Sequence, residues 1–203
     1  IIISSVVPPV NPTLEYLCRR YFHVEPMMVG PGMKTGLNIL YDNPRKLGAD
    51  RIVNAAGALG LYGGPAIVID YGTATTYDLV SAEGAYVSGV IAPGIRTSAE
   101  ALWSKTAKLP EIEIRKPEHI LAKETISSMQ AGLVYGQIGQ TEYIVKHMIA
   151  ESGYEDIKVV ATGGLGNLIS KETDCINIYD PELTLQGLRL IYEKEMKNRG
   201  ADR

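Results

Sequence analysis

The sequence predicts an α/β fold of mixed sheets flanked by helices, in two lobes divided after about residue 64. Three observations point there. After Gly63-Gly64-Pro65, β-type segments follow one another at 66–70, 75–80 and 85–91 with only short turns between them, and strands joined so tightly must run antiparallel. Beyond residue 93, helical periodicity alternates with short apolar runs, giving the order βββαα-βαβα from residue 66 onward. Before the break, Leu47, Ile52, Val53, Ala56 and Leu59 recur at helical spacing over 46–62. The predicted lobes are therefore a partial N-terminal lobe, 1–64, and a C-terminal lobe, 65–203.

Within the first lobe, residues 1–7 read as a strand, ended by Pro8 and Pro9, which cannot donate to a ladder. Asn11 caps and Pro12 starts a helix whose apolar face is Leu14, Leu17, Cys18 and Tyr21. Residues 24–29 form a short strand broken by Pro26, 30–36 a loop, and 37–41 an extended run before the Asp42-Asn43-Pro44 turn. In the second lobe, Ala82-Glu83-Gly84 turns the second strand into the third. Pro93 opens a helix with Ile95, Ala99, Leu102 and Trp103 on one side, and 108–117 is irregular.

The longest helix spans about 125–152, with Ile126, Met129, Leu133, Ile144 and Met148 on its apolar stripe. Gly132, Gly136 and Gly139 weaken it relative to alanine but suit a close helix-to-helix contact, including one between subunits. A strand at 158–162 ends in Gly163-Gly164-Leu165-Gly166, and a helical turn follows at 167–171. A strand at 175–179 precedes Asp180-Pro181, the start of a last helix burying Leu185, Leu188, Ile191 and Tyr192.

Composition narrows the function. With 203 residues, 45% of them hydrophobic and 21% charged, the chain is an ordinary globular one with ample core. A net charge of −3 excludes nucleic acid or an anionic membrane as the main partner. No apolar run approaches the ~18 residues of a membrane span. Cys18 and Cys175 make no metal site and suit a reducing, cytoplasmic compartment. His23, His119 and His147 are scattered and show no metal-ligand spacing. The chain opens without Met on residues that already look like a buried strand, so a fragment, or a missing native N-terminus, is expected.

The chemistry concentrates at 66–76. Ala66-Ile67-Val68-Ile69 reads as a strand buried on both faces, Asp70 sits at its end, and Tyr71-Gly72-Thr73-Ala74-Thr75-Thr76 follows. Glycine lets the main chain approach a ligand. The N–H groups and hydroxyls of Thr73, Thr75 and Thr76 can donate to phosphate oxygens, and the acid can hold a bridging cation. On this stretch alone, an ordinary hairpin turn capped by Asp explains the pattern equally well.

Further turns of the same kind follow later strands: Gly89-Val90-Ile91-Ala92-Pro93-Gly94, and Thr162-Gly163-Gly164. An acid-glycine-threonine hairpin with a later Gly-Gly turn resembles the second half of the acetate kinase, sugar kinase, Hsp70 and actin superfamily. That resemblance implies a ribonuclease-H-like, actin/hexokinase-type two-lobe fold that grips ATP. Four strings in order sharpen it: Gly48-Ala49-Asp50-Arg51, Asp70 to Thr76, Gly89 to Ile95, and Thr162-Gly163-Gly164-Leu165. Together they look like type III pantothenate kinase, along essentially the whole chain. One departure stands out: the family's opening Asp-x-Gly-Asn-Thr hairpin, which cradles phosphate and helps place Mg²⁺, has no counterpart here, so the first lobe is expected to be incomplete.

The resemblance implies roles residue by residue. Asp50 matches the proton acceptor; on the residues alone the better reading is an acid in a helix's first turn, favoured by the dipole, and the Gly-Ala-Asp-Arg context reverses that. Tyr41, Gly48, Ala49, Asp50 and Arg51 match substrate contacts, and a fork-shaped cation such as Arg51 suits a carboxylate or a phosphate. Gly72, Thr73, Thr75, Gly163 and Gly164 match the ATP side, and Asp70 the ligand of a monovalent cation, K⁺ or NH₄⁺. Thr125 matches a threonine that reaches pantothenate in the neighbouring subunit, which implies a homodimer; by itself it reads as a helix cap. The implied activity is ATP- and Mg²⁺-dependent phosphorylation of pantothenate to 4′-phosphopantothenate, the first step towards coenzyme A. The alternatives are another small-molecule kinase of the superfamily and a non-catalytic accessory or regulatory relative.

Overall fold

A computed structural model describes residues 1–30 and 32–201; Pro31, in the expected 30–36 loop, lies outside them. In chain order the elements are β1 (Ile2–Ile3), α1 (Asn11–Leu17), β2 (Met27–Met28), β3 (Asn38–Ile39) and α2 (Ala49–Tyr62). Then come β4 (Ala66–Tyr71), β5 (Ala74–Val80), β6 (Ala85–Pro93), α3 (Ile95–Lys105) and α4 (Thr125–Ser152). Last are β7 (Lys158–Thr162), α5 (Gly166–Ser170), β8 (Ile178–Tyr179) and α6 (Leu183–Ala201). From β4 onward this is the expected βββαα-βαβα order, and the fold is the expected mixed α/β one. The chain forms two compact units: Ile1–Gly64 with Val80–Ser88 and Glu182–Arg203, and Pro65–Leu79 with Gly89–Pro181.

In the first unit α2 packs on α6. The two backbones approach closely because glycines face each other there. A Cβ on Gly57 would lie 2.9 Å from the Leu183 carbonyl oxygen, nearer than real Cβ atoms stand, and 3.2 Å from Gly187 Cα, tighter than most. Val29, Val53, Ala56 and Ile191 form the buried centre, with Ile2, Met33, Leu37, Ala49 and Leu188 packed around it. β1 pairs in parallel with β2, and β3 pairs in parallel with the start of β6, Ile39 opposite Tyr86. The first turn of α2, which carries Asp50, thus rises from a closely packed helix pair.

In the second unit β4 is central. Its alternate residues need no polar face: Ala66, Ile67, Val68 and Ile69 are all buried, as a strand covered on both sides requires. A two-residue turn leads from β4 into β5. β7 pairs in parallel along the other edge of β4, placing Asp70 opposite Thr162, and β8 follows β7. Both Asp70 and Thr162 therefore lie at the C-terminal ends of neighbouring parallel strands, where Gly72 and Gly163 begin their turns.

Several expectations are corrected. The opening strand is only Ile2–Ile3, because Val6 and Val7 are exposed and pair with nothing in a sheet. Val10, not Asn11, stands at the N-cap of α1, and Tyr21 is exposed at 71% because the chain turns through a π-helical segment at Cys18–Phe22. The strand at 24–29 shrinks to β2 and that at 175–179 to β8. Pro93 closes β6, and Gly94 is the N-cap of α3. Leu185 is 67% exposed, and Leu183 is buried in its place.

Candidate active site

The first unit gathers the residues expected around the acceptor substrate. Gly48 is the N-cap of α2, and Ala49, Asp50 and Arg51 make its first turn. Asp50 Oδ1 accepts a hydrogen bond from the Arg51 N–H at 2.8 Å, which fixes the carboxylate over the helix start. It leaves no room for a side chain at position 48, since a Cβ there would collide with Asp50 Oδ1. A side chain at 48 would therefore force the Asp50 carboxylate to shift from this position. Arg51 is only 6% exposed. Its guanidinium carbon sits 5.8 Å from the centroid of the Tyr86 ring, a cation–π arrangement. Tyr41 meets the same ring edge-on at 6.1 Å and 78°. Tyr86, wholly buried, is the hub that the sequence did not reveal: its only signal was an aromatic residue early in a strand.

The second unit gathers the residues expected around the nucleotide. A cavity of about 510 Å³ is lined by Tyr71, Gly72 and Thr73 from the β4–β5 turn, Arg96, Thr97 and Glu100 from α3, and Gly164 and Leu165 after β7. The turn is clamped to α3: the Thr73 carbonyl accepts from the Gly94 N–H at 3.1 Å and from the Thr97 hydroxyl at 2.6 Å. A Cβ on Gly94 would stand 2.8 Å from the Thr73 carbonyl carbon and strike its oxygen and that of Gly72. Gly163, at φ +91°, is more constrained still. A Cβ there would lie 2.7 Å from Asp70 Oδ1, from the Tyr71 nitrogen and from the Tyr71 oxygen. The Tyr179 hydroxyl donates to the Gly163 carbonyl at 3.1 Å and holds that turn from β8.

Tyr71, between Asp70 and Gly72, is anchored below the cavity. Its hydroxyl lies 2.9 Å from Thr141 Oγ1, which also meets the Tyr77 hydroxyl at 3.1 Å, and Gln137 Nε2 donates to Tyr77 at 3.2 Å. Burial pushes both phenols above the ordinary tyrosine range, so they remain protonated at any physiological pH. Thr75 does not line the cavity: it is wholly buried in β5, its Oγ1 without a hydrogen-bond partner. Thr125 lies elsewhere in this unit. It is the first residue of α4, after the N-cap Glu124, and borders a groove of about 870 Å³ lined also by Leu102, Leu109 and Met129.

No group of three or more His, Cys, Asp or Glu side chains among the described residues could hold a metal ion. No described helix is long and apolar enough to cross a membrane. Tyr86, Tyr179, Thr141, Arg96 and Glu100 escape a reading of the sequence because their contacts join segments far apart in the chain. Gly94 was legible only as part of its string.

Comparison with known proteins fits this geometry. The family description that matches, over residues 1–147, is type III pantothenate kinase. The type III pantothenate kinases of Agathobacter rectalis and Geobacillus kaustophilus are 57% identical over 194 residues and 56% identical over 200. The alignments take in 96% and 98% of this chain, and 75% and 77% of those relatives. This chain belongs to the type III pantothenate kinase family. Among solved structures, a conserved protein of Campylobacter jejuni described as a Baf family transcriptional activator is similar at a TM-score of 0.65 and 20% identity, over 97% of this chain and 83% of that one. That likeness is one of fold.

Proposed function

We propose that this protein transfers the γ-phosphoryl group of ATP to the hydroxyl of pantothenate, giving 4′-phosphopantothenate, the first step towards coenzyme A. The observation that carries the reading is the cavity beside the Asp70 turn. At about 510 Å³ it is of ligand size, and beside Arg96 and Glu100 of α3 its wall offers the glycines and main chain of the two turns and threonine hydroxyls, which suit a polyphosphate.

The pantothenate oxygen attacks the γ-phosphorus, the bond to the bridging oxygen breaks, ADP leaves, and the hydroxyl proton passes to the Asp50 carboxylate. A carboxylate with an ordinary pKa near ~3.9 is a weak base for an alcohol. It suffices because phosphoryl transfer runs through a loose transition state in which the proton leaves late. Asp50 is held for this by the Arg51 N–H and by the absence of a side chain at Gly48. Arg51, buried against Tyr86, and Tyr41 orient the acceptor. On the donor side Gly72, Thr73, Gly163 and Gly164 supply main-chain contacts to the nucleotide, and rate comes from placement and charge stabilisation.

Asp70 suits a monovalent cation. Its carboxylate and the Tyr71 carbonyl border the space that any side chain at position 163 would fill, and hard cations take such oxygens. Mg²⁺ would be carried on the nucleotide itself. These ions, when bound, neutralise phosphate charge. The reading extends to a cytoplasmic homodimer in which Thr125 reaches the neighbouring subunit's substrate. It is supported by the exposure of Thr125 and by Gly132, Gly136 and Gly139 of α4, where an added Cβ would meet nothing within 4 Å. Incubation with ATP, Mg²⁺, K⁺ and a panel of hydroxy acids and sugars tests the function. Mass-resolved phosphopantothenate is the expected product, and absence of any ATP turnover sinks the reading.

A further inference from the structure

Two charged side chains line the cavity of the second unit, and the nucleotide reading above gives them no work. Arg96 and Glu100 stand one turn apart on α3, facing the same cavity. Both are exposed, and neither is in an ion pair with another described residue, nor with the other. An Arg–Glu pair at this spacing ordinarily joins across the helix surface; here both line the cavity wall instead.

We infer that Arg96 binds the phosphate chain of the nucleotide and Glu100 its ribose hydroxyls, so that α3 reads the donor along its length. The inference rests on the nucleotide reading of this cavity and adds to it the two residues that set donor affinity. The direction follows from the clamp between α3 and the β4–β5 turn. Thr97 is bonded to the Thr73 carbonyl, so Arg96, its neighbour, starts from the turn where Gly72 brings the main chain to the cavity wall beside Thr73, as suits phosphate. A guanidinium adds a fork of donors that matches phosphate oxygens. Glu100 lies four residues on, about 6 Å further along the axis. A carboxylate is repelled by polyphosphate but accepts hydrogen bonds from vicinal hydroxyls, the role acids take towards ribose in other nucleotide sites.

The test uses the full chain and three ligands: ATP as substrate, and ADP and adenosine as competitive inhibitors, with 2′,3′-dideoxy-ATP as a second donor. Arg96→Gln weakens ATP and ADP about tenfold or more, the scale of a lost charge-assisted hydrogen bond, and leaves adenosine unchanged; Arg96→Lys restores part of the loss. Glu100→Ala weakens all three ligands alike. In the unsubstituted protein dideoxy-ATP binds several-fold more weakly than ATP, and in Glu100→Ala the two bind equally. The KM for pantothenate stays at the unsubstituted value in every variant, as it must if these exposed changes leave the fold intact. Arg96→Gln binding adenosine as poorly as ATP, or Glu100→Ala keeping the full preference for ATP over dideoxy-ATP, overturns the inference alone. An unsubstituted protein that neither binds nor turns over ATP takes the nucleotide reading down with it.

Discussion

The two candidate regions are built by opposite means. Around Asp50 the construction is of side chains: a buried guanidinium on a buried aromatic ring, a second tyrosine against its edge, and a carboxylate latched to the helix start. Around Asp70 it is of main chain and missing side chains: a carbonyl clamped by two donors, and glycines at 94 and 163 where a single Cβ would strike backbone. The difference follows from what each is read to bind. A small acceptor must be told from its analogues, which takes shaped side chains that lose partners when the wrong molecule enters. A polyphosphate is recognised well enough by N–H groups and a close backbone approach. Side-chain changes should therefore dominate on the first region, whereas on the second Cβ additions should tell as well as changes to the two charged side chains of α3.

The largest expected effect is on the first. Asp50→Asn keeps the hydrogen-bonding shape and removes the proton acceptor, and kcat should fall about 10²–10⁴-fold with the KM values little moved. Steady-state kinetics measures it, and full turnover in the variant would remove Asp50 from the chemistry. Next, Gly94→Ala and Gly163→Ala should each lower stability by about 1–3 kcal/mol through overpacking and weaken ATP while leaving pantothenate alone. Denaturant titration and the two KM values separate these effects. If Gly163→Ala spares ATP, the main-chain account of the donor side fails.

Smaller again is the loss on replacing the aromatic hub. Tyr86→Leu should raise the KM for pantothenate by about thirtyfold, as a desolvated cation–π contact of ~2 kcal/mol implies, and spare that for ATP. An equal rise in both would mean Tyr86 is packing only.

The smallest effect is a pH dependence of the second region. Tyr71 and Tyr77 are held protonated by burial in the fold, whereas in the unfolded chain they ionise near pH ~10. Above that pH the unfolded state gives up protons that the folded state retains, so stability should fall as pH rises. Thermal unfolding between neutral and strongly alkaline pH tests this, and Tyr77→Phe should flatten the decline.

How much of this was legible depends on how far each contact reaches along the chain. The βββαα-βαβα order was readable because hairpin turns, strand-end glycines and helix caps are local, and each fixes its own geometry. The glycine turns were readable for the same reason, although the Cβ collisions that explain Gly94 and Gly163 come from residues brought in by other strands. Burial was less readable. Helical spacing marked Leu185 as core, but the face of α6 that meets α2 is set by Gly187 and Leu183, and Leu185 falls outside it. A close helix contact on glycines forms between α2 and α6, while the α4 glycines expected to make one have open space beside them in this chain. Tyr86, Thr141 and Tyr179 left no sequence signal, since each acts on a residue tens of positions away or in another element.

The return of α6 to the first unit has a consequence for biogenesis. On the ribosome, residues 49–62 emerge long before 183–201, so the helix bearing Asp50 must wait for the whole of the intervening chain before its glycine-matched mate exists. The unit that holds the Asp70 turn is complete by Pro181, which lets the half read as gripping nucleotide settle first and leaves the half that carries the proton acceptor to be joined later by α6.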